Sequence, residues 1–300
     1  MSIRLAFSTV ACPDWTLEQV VARAKEYGYE GVELRTLGPG GSGLASDPAL
    51  SDPGKVAQIL EQSGVAPVCL STSTALHFAD ATRAHRAVRQ LEADLELAAA
   101  LRCGAVRIFG SRVEPGETQQ TVMQRIAERI KPLVDKAGRL GVQILFENAG
   151  SFNQAQQWWW LLNLVDHPMA GMCWNVANAA AVGEPPAVSV PCLNSRIRLA
   201  KVKDTAVGEG SGFVPLGTGT VGIEAFLKRL LGIGYEGFIS VEWDRLWFPS
   251  LAPAEEHLPD AQKRLRDWLA AIALDVEEGR KSVAKTAAKN APKPMAAAAK

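Results

Sequence analysis

The sequence predicts a (β/α)8 TIM barrel, an α/β fold in which eight parallel strands alternate with helices. Strand-like apolar runs alternate with amphipathic helical runs along most of the chain, and a helix–glycine–strand junction recurs. Several of the strand-like runs are apolar on both faces, which is typical of parallel strands covered by helices. Eight such units in ~250 residues favour a closed barrel over an open sheet.

The strands follow one another at regular intervals. The first helix begins at a predicted capping box formed by Thr16 and Gln19, and it ends at Gly28, a residue suited to a left-handed helix terminus. The junction GYEGVEL at 28–34 returns as GYEGFISVE at 234–242. The predicted strands are 3–9, 31–35, 66–71, 105–110, 142–147, 171–176, 197–203 and 237–243.

The domain boundary is predicted near the end of the last helix. We expect the barrel to occupy residues 1–279 and to end with a helix over 258–279. Residues 280–300 are rich in lysine, alanine and proline, a composition that cannot form a core, so we expect a disordered basic tail. Such a tail could contact nucleic acid or membrane, but a solubilising segment is the favoured interpretation.

The bulk composition excludes several classes of protein. The 300 residues carry 32 basic and 32 acidic side chains, so no overall field favours nucleic acid or an anionic membrane. No apolar run approaches the ~18 residues of a membrane span. The apolar stretch from Leu5 is also shorter than the ~7–15 residues of a signal-peptide core. Five scattered cysteines without metal-ligand spacing are typical of a reduced, cytoplasmic protein.

Polar residues end four successive predicted strands. Active sites of parallel barrels lie at the C-terminal ends of the strands, and alternation decides which side chains face inward. A single carboxylate there could cap a helix, and a single lysine could reach solvent. Four polar side chains at corresponding depth favour a shared site, since unpaired buried charges are costly. The four are Glu147, Asn175, Lys201 and Glu242, and Glu33, Arg107 and Lys203 are further inward-facing candidates.

The segments carrying these residues resemble a known family. LFENAG (145–150), MCWNVANA (172–179), VKD (202–204), PLGTG (215–219) and GYEGFISVEWD (234–244) occur in the order found in the xylose isomerase-like sugar phosphate isomerase/epimerase superfamily. That superfamily also includes AP endonuclease family 2-like nucleases and inositol-catabolism proteins. The resemblance covers residues 3–272 and implies a barrel enzyme of carbohydrate metabolism.

The resemblance also implies a divalent metal site, from which this chain departs. Typical members hold manganese, cobalt, magnesium or zinc with Glu, Asp, His and Glu from strands five to eight. Glu147 and Glu242 match the glutamates, whereas Asn175 replaces the aspartate, Lys201 replaces the histidine and Asn178 replaces a histidine three residues further on. A protonated lysine has no lone pair for a metal. We therefore expect a divalent site of Glu147, Glu242 and Asn175 to be weak or absent.

Three classes of function remain open. As a sugar or polyol isomerase or epimerase, the protein would move a proton beside a carbonyl through an enediolate, with Glu147 and Glu242 as acid and base and Lys201 with Asn175 stabilising the oxyanion. Lys201 could instead form a Schiff base. The alternative class is a non-catalytic sugar-binding barrel that has lost its metal. An endonuclease is disfavoured, because the barrel lacks a histidine-rich site and a basic groove.

Weaker signals extend the predicted substrate site. His77 follows the third strand and could line the pocket, and Trp243 could stack on a sugar or form an apolar lid. Lys203 lies near the glycine-rich segment 208–222, where a phosphate could bind, although the pattern matches no phosphate motif. Asp204 is expected to fix that segment by hydrogen bonds. A homo-oligomer is possible, and the only partner predicted for the barrel is a small polyhydroxy carbonyl compound.

Overall fold

Eight parallel strands close into a barrel in the computed structural model, which describes residues 3–37, 52–206 and 212–290, with side chains up to 275. The barrel strands are β1 (Arg4–Ser8), β2 (Gly31–Arg35), β3 (Ala66–Ala75), β4 (Ala105–Phe109), β5 (Gln143–Glu147), β6 (Ala170–Asn175), β7 (Ile197–Val202) and β10 (Phe238–Val241). Following the hydrogen bonds, the strand order is β1-β10-β7-β6-β5-β4-β3-β2. The predicted (β/α)8 TIM barrel is confirmed.

Helices cover the outside of the barrel between successive strands. They are α1 (Leu17–Tyr27), α2 (Pro53–Ser63), α3 (Ala81–Ala100), α4 (Gln119–Leu140), α5 (Ala155–Val165), α6 (Val176–Ala180), α7 (Pro186–Leu193), α8 (Ile223–Gly232) and α9 (Ala254–Asn290). The Thr16–Gln19 capping box forms as predicted, and Gly28 ends α1 in the left-handed region. None of the helices in the described ranges has both the length and the apolarity that a membrane span needs.

Three elements depart from the prediction by more than the one or two residues seen at the other strand ends. The strand β3 continues four residues beyond the predicted end; there the Thr72 hydroxyl donates to the carbonyl of Arg107 on β4 and the Thr74 hydroxyl to Asp94 on α3. A short antiparallel hairpin, β8 (Asp204–Ala206) and β9 (Gly212–Val214), follows β7. The backbone of α9 runs from Ala254 to Asn290 rather than over 258–279, since alanine and lysine favour helix. Residues 291–300 of the predicted tail lie outside the described residues, and the domain boundary stays a prediction.

The barrel interior has an apolar lower layer beneath a polar upper layer. The lower layer consists of Cys69, Ala105, Leu145, Cys173 and Leu199, with Val68 and Phe238 packed against it. All five cysteines of the chain are free thiols. Because this layer fills the base of the barrel, the inward-facing polar side chains lie above it, at the C-terminal ends of the strands.

Candidate active site

Lys201 lies at the centre of the polar layer. Its Nζ is 2.9 Å from Oε1 of Glu242, 3.0 Å from Oε1 of Glu33 and 3.4 Å from Oε2 of Glu147. The ammonium group carries three N–H donors, and three carboxylates surround it. Lys201 is fully buried, so its charge is compensated by these three carboxylates rather than by solvent.

Asn175 bridges two of the same carboxylates. Its Nδ2 donates to Oε1 of Glu147 and to Oε2 of Glu242, both at 2.9 Å, while its Oδ1 accepts from the backbone N–H of Ala177. Ionised carboxylates only accept hydrogen bonds, so the amide must turn its nitrogen toward them. Both side-chain N–H groups of Asn175 are therefore occupied. Lys201 donates to Glu147 and Glu242 and forms an ion pair with Glu33.

Arg107 and Glu33 complete the buried part of the network. Nε of Arg107 lies 3.0 Å from Oε2 of Glu147, and its Nη1 donates to the backbone carbonyl of Thr72. Glu33 accepts from the hydroxyls of Ser71 at 2.5 Å and Ser240 at 2.6 Å, in addition to its ion pair with Lys201. Both residues were predicted to bind substrate. The structure buries them beneath the outer groups, where they hold Glu147 and Lys201 in place.

The outer edge of the network is formed by Lys203 and Asp244. Nζ of Lys203 lies 3.1 Å from Oε2 of Glu242 and 2.9 Å from Oδ2 of Asp244. The Lys203 side chain is 13% exposed, against 1% for Lys201. Asp244 was absent from the predicted site, although strand alternation signals it, because it lies two residues after the inward-facing Glu242.

The network shifts the pKa values of its members in opposite directions. Burial disfavours the charged form of Lys201, but Glu147, Glu242 and Glu33 outweigh burial and raise its pKa well above the ordinary value. Burial also disfavours ionised Glu242, but Lys201 and Lys203 outweigh it and hold its pKa far below the usual range. Burial and the charge of Glu242 together raise the pKa of Asp244, although Lys203 opposes this.

The donor set does not fit a divalent metal ion. The predicted ligands Glu147, Glu242 and Asn175 do come together, but Asn175 presents N–H groups and the Lys201 ammonium fills the space between the carboxylates. No group of three or more histidine, cysteine or acidic side chains arranged to hold a metal occurs within the described parts of the chain. An ammonium repels a second cation at this distance, so the wild-type site does not suit a divalent ion.

Asn178 supports the site from the loop after β6. Its Nδ2 donates to the backbone carbonyl of Asn148 at 2.7 Å. The Asn148 side chain in turn bonds both the N–H and the carbonyl of Asn175. Asn178 was predicted to bind substrate, and that role stays a prediction; its side chain bonds the loop that holds Asn175.

His77 and Trp243 do not join the network. His77 is buried against Phe78, with ring centroids 4.1 Å apart. Trp243 points outward from the barrel, donates from Nε1 to the carbonyl of Ala252 and stacks on His257. Alternation explains Trp243, because its neighbour Glu242 faces inward. Among the described residues, neither side chain forms a hydrogen bond or ion pair with Lys201, Lys203, Glu242 or Asp244.

Asp204 fixes the glycine-rich segment, as predicted. Its carboxylate accepts from the backbone N–H groups of Gly217 at 2.8 Å, Gly219 at 3.1 Å and Val221 at 3.2 Å. A Cβ at Gly219 would lie 2.3 Å from Asp204 Oδ1, so only glycine fits there. These amides already bind an internal carboxylate and are not available to a phosphate. Residues 207–211 lie outside the described residues.

A family model shows which group of barrels this chain represents. The model for the xylose isomerase-like TIM barrel matches residues 21–271, most of the chain. The chain belongs to the xylose isomerase-like TIM barrel family. None of the curated proteins matches it in sequence.

Solved structures of similar fold include several enzymes of the same architecture. The structure described as L-ribulose 3-epimerase is 17% identical, with a TM-score of 0.78 over 97% of this chain and 100% of that chain. The IOLI protein with a bound zinc atom is 19% identical, with a TM-score of 0.77 over 90% and 99%. The probable 3-DHS dehydratase AsbF from Bacillus anthracis is 18% identical, with a TM-score of 0.73 over 88% and 99%. At such identities the likeness establishes the fold alone.

Proposed function

We propose that the protein is a sugar-modifying enzyme, an isomerase or epimerase that moves a proton beside the carbonyl of a small polyhydroxy compound without a divalent ion. The observation that carries this proposal is the Lys203–Asp244 pair, 2.9 Å apart, at the outer edge of a buried charge network. A base beside a fixed cation is what enolisation needs: one group removes the proton, and the other stabilises the oxyanion that forms.

Asp244 is the proposed base. Its raised pKa makes it a stronger proton acceptor than Glu242, whose pKa is depressed by two ammonium groups. Lys203 is the proposed cation for the enediolate oxygen. Two of its three N–H donors face Glu242 and Asp244, and the third has no hydrogen-bond partner within the described part of the chain.

The residues first predicted to be catalytic take a different part in this proposal. Glu147 contacts Arg107, Asn175 and Lys201, so its oxygens are already occupied. The N–H groups of Lys201 and Asn175 are likewise committed to carboxylates. In our proposal Lys201 and Glu147 fix the charge and position of Glu242, which holds Lys203. Because Glu242 stays ionised beside two ammonium groups, the protonated Asp244 returns the proton in our proposal.

A non-catalytic sugar-binding barrel is the second candidate function. It is favoured by the contacts of Lys201 and Asn175, whose buried side chains donate to carboxylates of the network rather than facing a substrate. The Schiff-base mechanism is disfavoured, because the raised pKa of Lys201 keeps its amine protonated. Borohydride trapping with a keto sugar tests that mechanism, and an adduct on Lys201 would restore it.

Deuterium exchange separates the two functions. The protein is incubated in D2O with a panel of aldoses, ketoses and their phosphates, and loss of the proton beside the carbonyl is followed by NMR. An enzyme incorporates deuterium into at least one sugar, and Asp244→Asn abolishes the incorporation while the exposed Glu236→Gln control retains it. Saturable binding of a sugar without exchange would instead support the binding barrel.

A further inference from the structure

Three aromatic side chains lie beside the Lys203–Asp244 pair at the mouth of the barrel. They are Phe213 of β9 and, in the loop after β10, Trp247 and Phe248, and we call them the aromatic arc. Phe213 is half-buried, whereas Trp247 is 51% exposed and Phe248 is 50% exposed. Single exposed apolar side chains are ordinary, but adjoining ones commonly mark a binding site. The aromatic arc is therefore a candidate binding surface.

The position of the aromatic arc relative to the reacting pair is fixed by direct contacts. Nζ of Lys203 lies 5.0 Å from the ring centroid of Phe213, and the Phe213 and Phe248 centroids are 5.3 Å apart. The backbone carbonyl of Asp244 accepts from the N–H groups of Trp247 at 3.0 Å and Phe248 at 2.9 Å. Two of the aromatic residues are thus anchored on the proposed base, and the third lies against the proposed cation.

The other end of the aromatic arc reaches the second strand. The guanidinium carbon of Arg35, at the end of β2, lies 5.9 Å from the ring centroid of Trp247. Arg35 also donates to the carbonyl of Ser71 on β3 at 3.0 Å, and the N–H of Leu246 donates to the carbonyl of Val10 at 3.0 Å. Cations within ~6 Å of a ring face are attracted to it. These contacts hold the rings along the rim of the mouth, from the β7 side to the β2 side.

The exposed area of the aromatic arc suits one flat apolar group. Phe and Trp side chains each present 150–250 Å2, so two half-exposed ones leave roughly 200 Å2 uncovered. A stable interface with a second protein buries about 800 Å2 on each partner, several times more. A single aromatic ring of a ligand has an area of the same order as the uncovered surface, and aromatic rings pair favourably at ~4.5–7 Å. The arc therefore fits an aromatic group of a small molecule better than a second copy of the chain.

We propose that the substrate of the Lys203–Asp244 pair is a polyhydroxy carbonyl compound that carries an aromatic ring, and that this ring packs on the aromatic arc. The inference rests on the function proposed above, because it places the carbonyl oxygen at Lys203. An N–H···O bond measures about 2.9 Å, and the Phe213 ring lies 5.0 Å from the same nitrogen. The aromatic group is therefore only a few bonds from the carbonyl.

Paired glycosides test this inference on the full-length protein. Phenyl and methyl glycosides of glucose, galactose, mannose and xylose contain no free carbonyl, so calorimetric titration measures their binding apart from turnover. At least one phenyl glycoside should bind about tenfold or more tightly than its methyl counterpart, since the arc removes the phenyl ring from water. Trp247→Ala should lose most of this preference and keep the affinity for the methyl glycoside. Trp159→Ala is the matched control, because Trp159 is 45% exposed on α5, outside the arc, and should keep the preference.

The inference is overturned if phenyl and methyl glycosides bind equally, or if no phenyl glycoside binds saturably at millimolar concentration. A wild-type dimer that Trp247→Ala dissociates in sedimentation velocity would assign the arc to a second copy and would also overturn it. Deuterium exchange into a free sugar without any phenyl preference would refute this inference and leave the proposed function standing. A phenyl preference without exchange into any sugar, aryl-substituted keto sugars included, would refute the proposed function and leave the arc as an aryl-binding surface.

Discussion

Lys201 on β7 and Glu33 on β2 form an ion pair, with Nζ 3.0 Å from Oε1, although β10 and β1 separate their strands. The contact crosses the interior of the barrel, and both side chains are excluded from solvent. Breaking a buried ion pair by removing one partner costs about 3–5 kcal/mol, because the other charge is left uncompensated. The polar layer is therefore a structural centre as well as a candidate active site.

Replacing Lys201 by methionine should destabilise the protein by about 3–5 kcal/mol at pH 7, measured by denaturant unfolding. Without the ammonium, three carboxylates face one another, and their pKa values in the folded state rise above those in the unfolded chain. Part of the lost stability should thus return as the pH is lowered to about 5. Lys203→Met, at a more exposed position, should cost less, and equal losses for both variants would contradict a central position for Lys201.

Removing the ammonium should also create a cation site. Three carboxylate oxygens lie 2.9, 3.0 and 3.4 Å from the position of the Lys201 Nζ, and oxygen ligands suit hard divalent ions. We expect Mn2+ to raise the melting temperature of Lys201→Ala and to leave the wild-type melting temperature unchanged. Elemental analysis of the purified wild-type protein should find no stoichiometric manganese, zinc or cobalt; a full equivalent would refute our assignment of this centre.

The stability of the wild-type protein should depend on pH through Glu242. Its pKa is lowered in the folded state, so its contribution is present above the ordinary glutamate pKa of ~4.3 and is lost as the pH falls toward the folded value. Lys201 acts in the opposite sense, with a raised pKa whose stabilising contribution declines only at strongly alkaline pH. Unfolding free energies should form a plateau at neutral pH, and Glu242→Gln should reduce the acid-side decline.

The raised pKa of Asp244 predicts the pH at which any exchange activity falls on the acid side of its pH profile. Because only the carboxylate accepts a proton, the rate should fall at a pH above the ordinary aspartate value of ~3.9. Lys203→Met should lose most of the exchange activity, because Lys203 is also the proposed cation for the enediolate oxygen. The pKa of Asp244 in this variant, followed by 13C NMR of its carboxyl carbon, should rise, since the cation that opposes the shift is gone. An activity limb of the wild-type protein at the ordinary aspartate value would exclude Asp244 as the base.

Asp204 should control the order of the glycine-rich segment. Asp204→Ala leaves three backbone N–H groups without their acceptor, so the amides of Gly217, Gly219 and Val221 should exchange with solvent at least tenfold faster in hydrogen-exchange NMR. Gly219→Ala should have a similar effect, because its Cβ would collide with the carboxylate. Amides of α4, far along the chain, serve as the reference and should keep their protection.

Periodicity predicted the strands and the inward direction of Lys201, since both follow from local alternation. Applied beyond Glu242, the same alternation predicts that Asp244 faces into the barrel and that Trp243 faces outward. It could not reveal the ion pair between Glu33 and Lys201, because that contact joins strands that are not neighbours. The extension of β3 and the hairpin after β7 were not predicted either. Both are short segments without an alternating apolar pattern, and alternation was the basis of the strand prediction.

The ion pair between β2 and β7 bears on how the polypeptide reaches its native state. An ammonium that is surrounded by carboxylates from β2, β5 and the end of β10 finds its full set of counter-charges only after the last strand has inserted beside the first. A fragment that ends before β10 would lack Glu242, so Lys201 would have only two of its three carboxylate neighbours. Such fragments should therefore not fold independently. The lysine thereby ties closure of the cylinder to the arrival of its C-terminal strand.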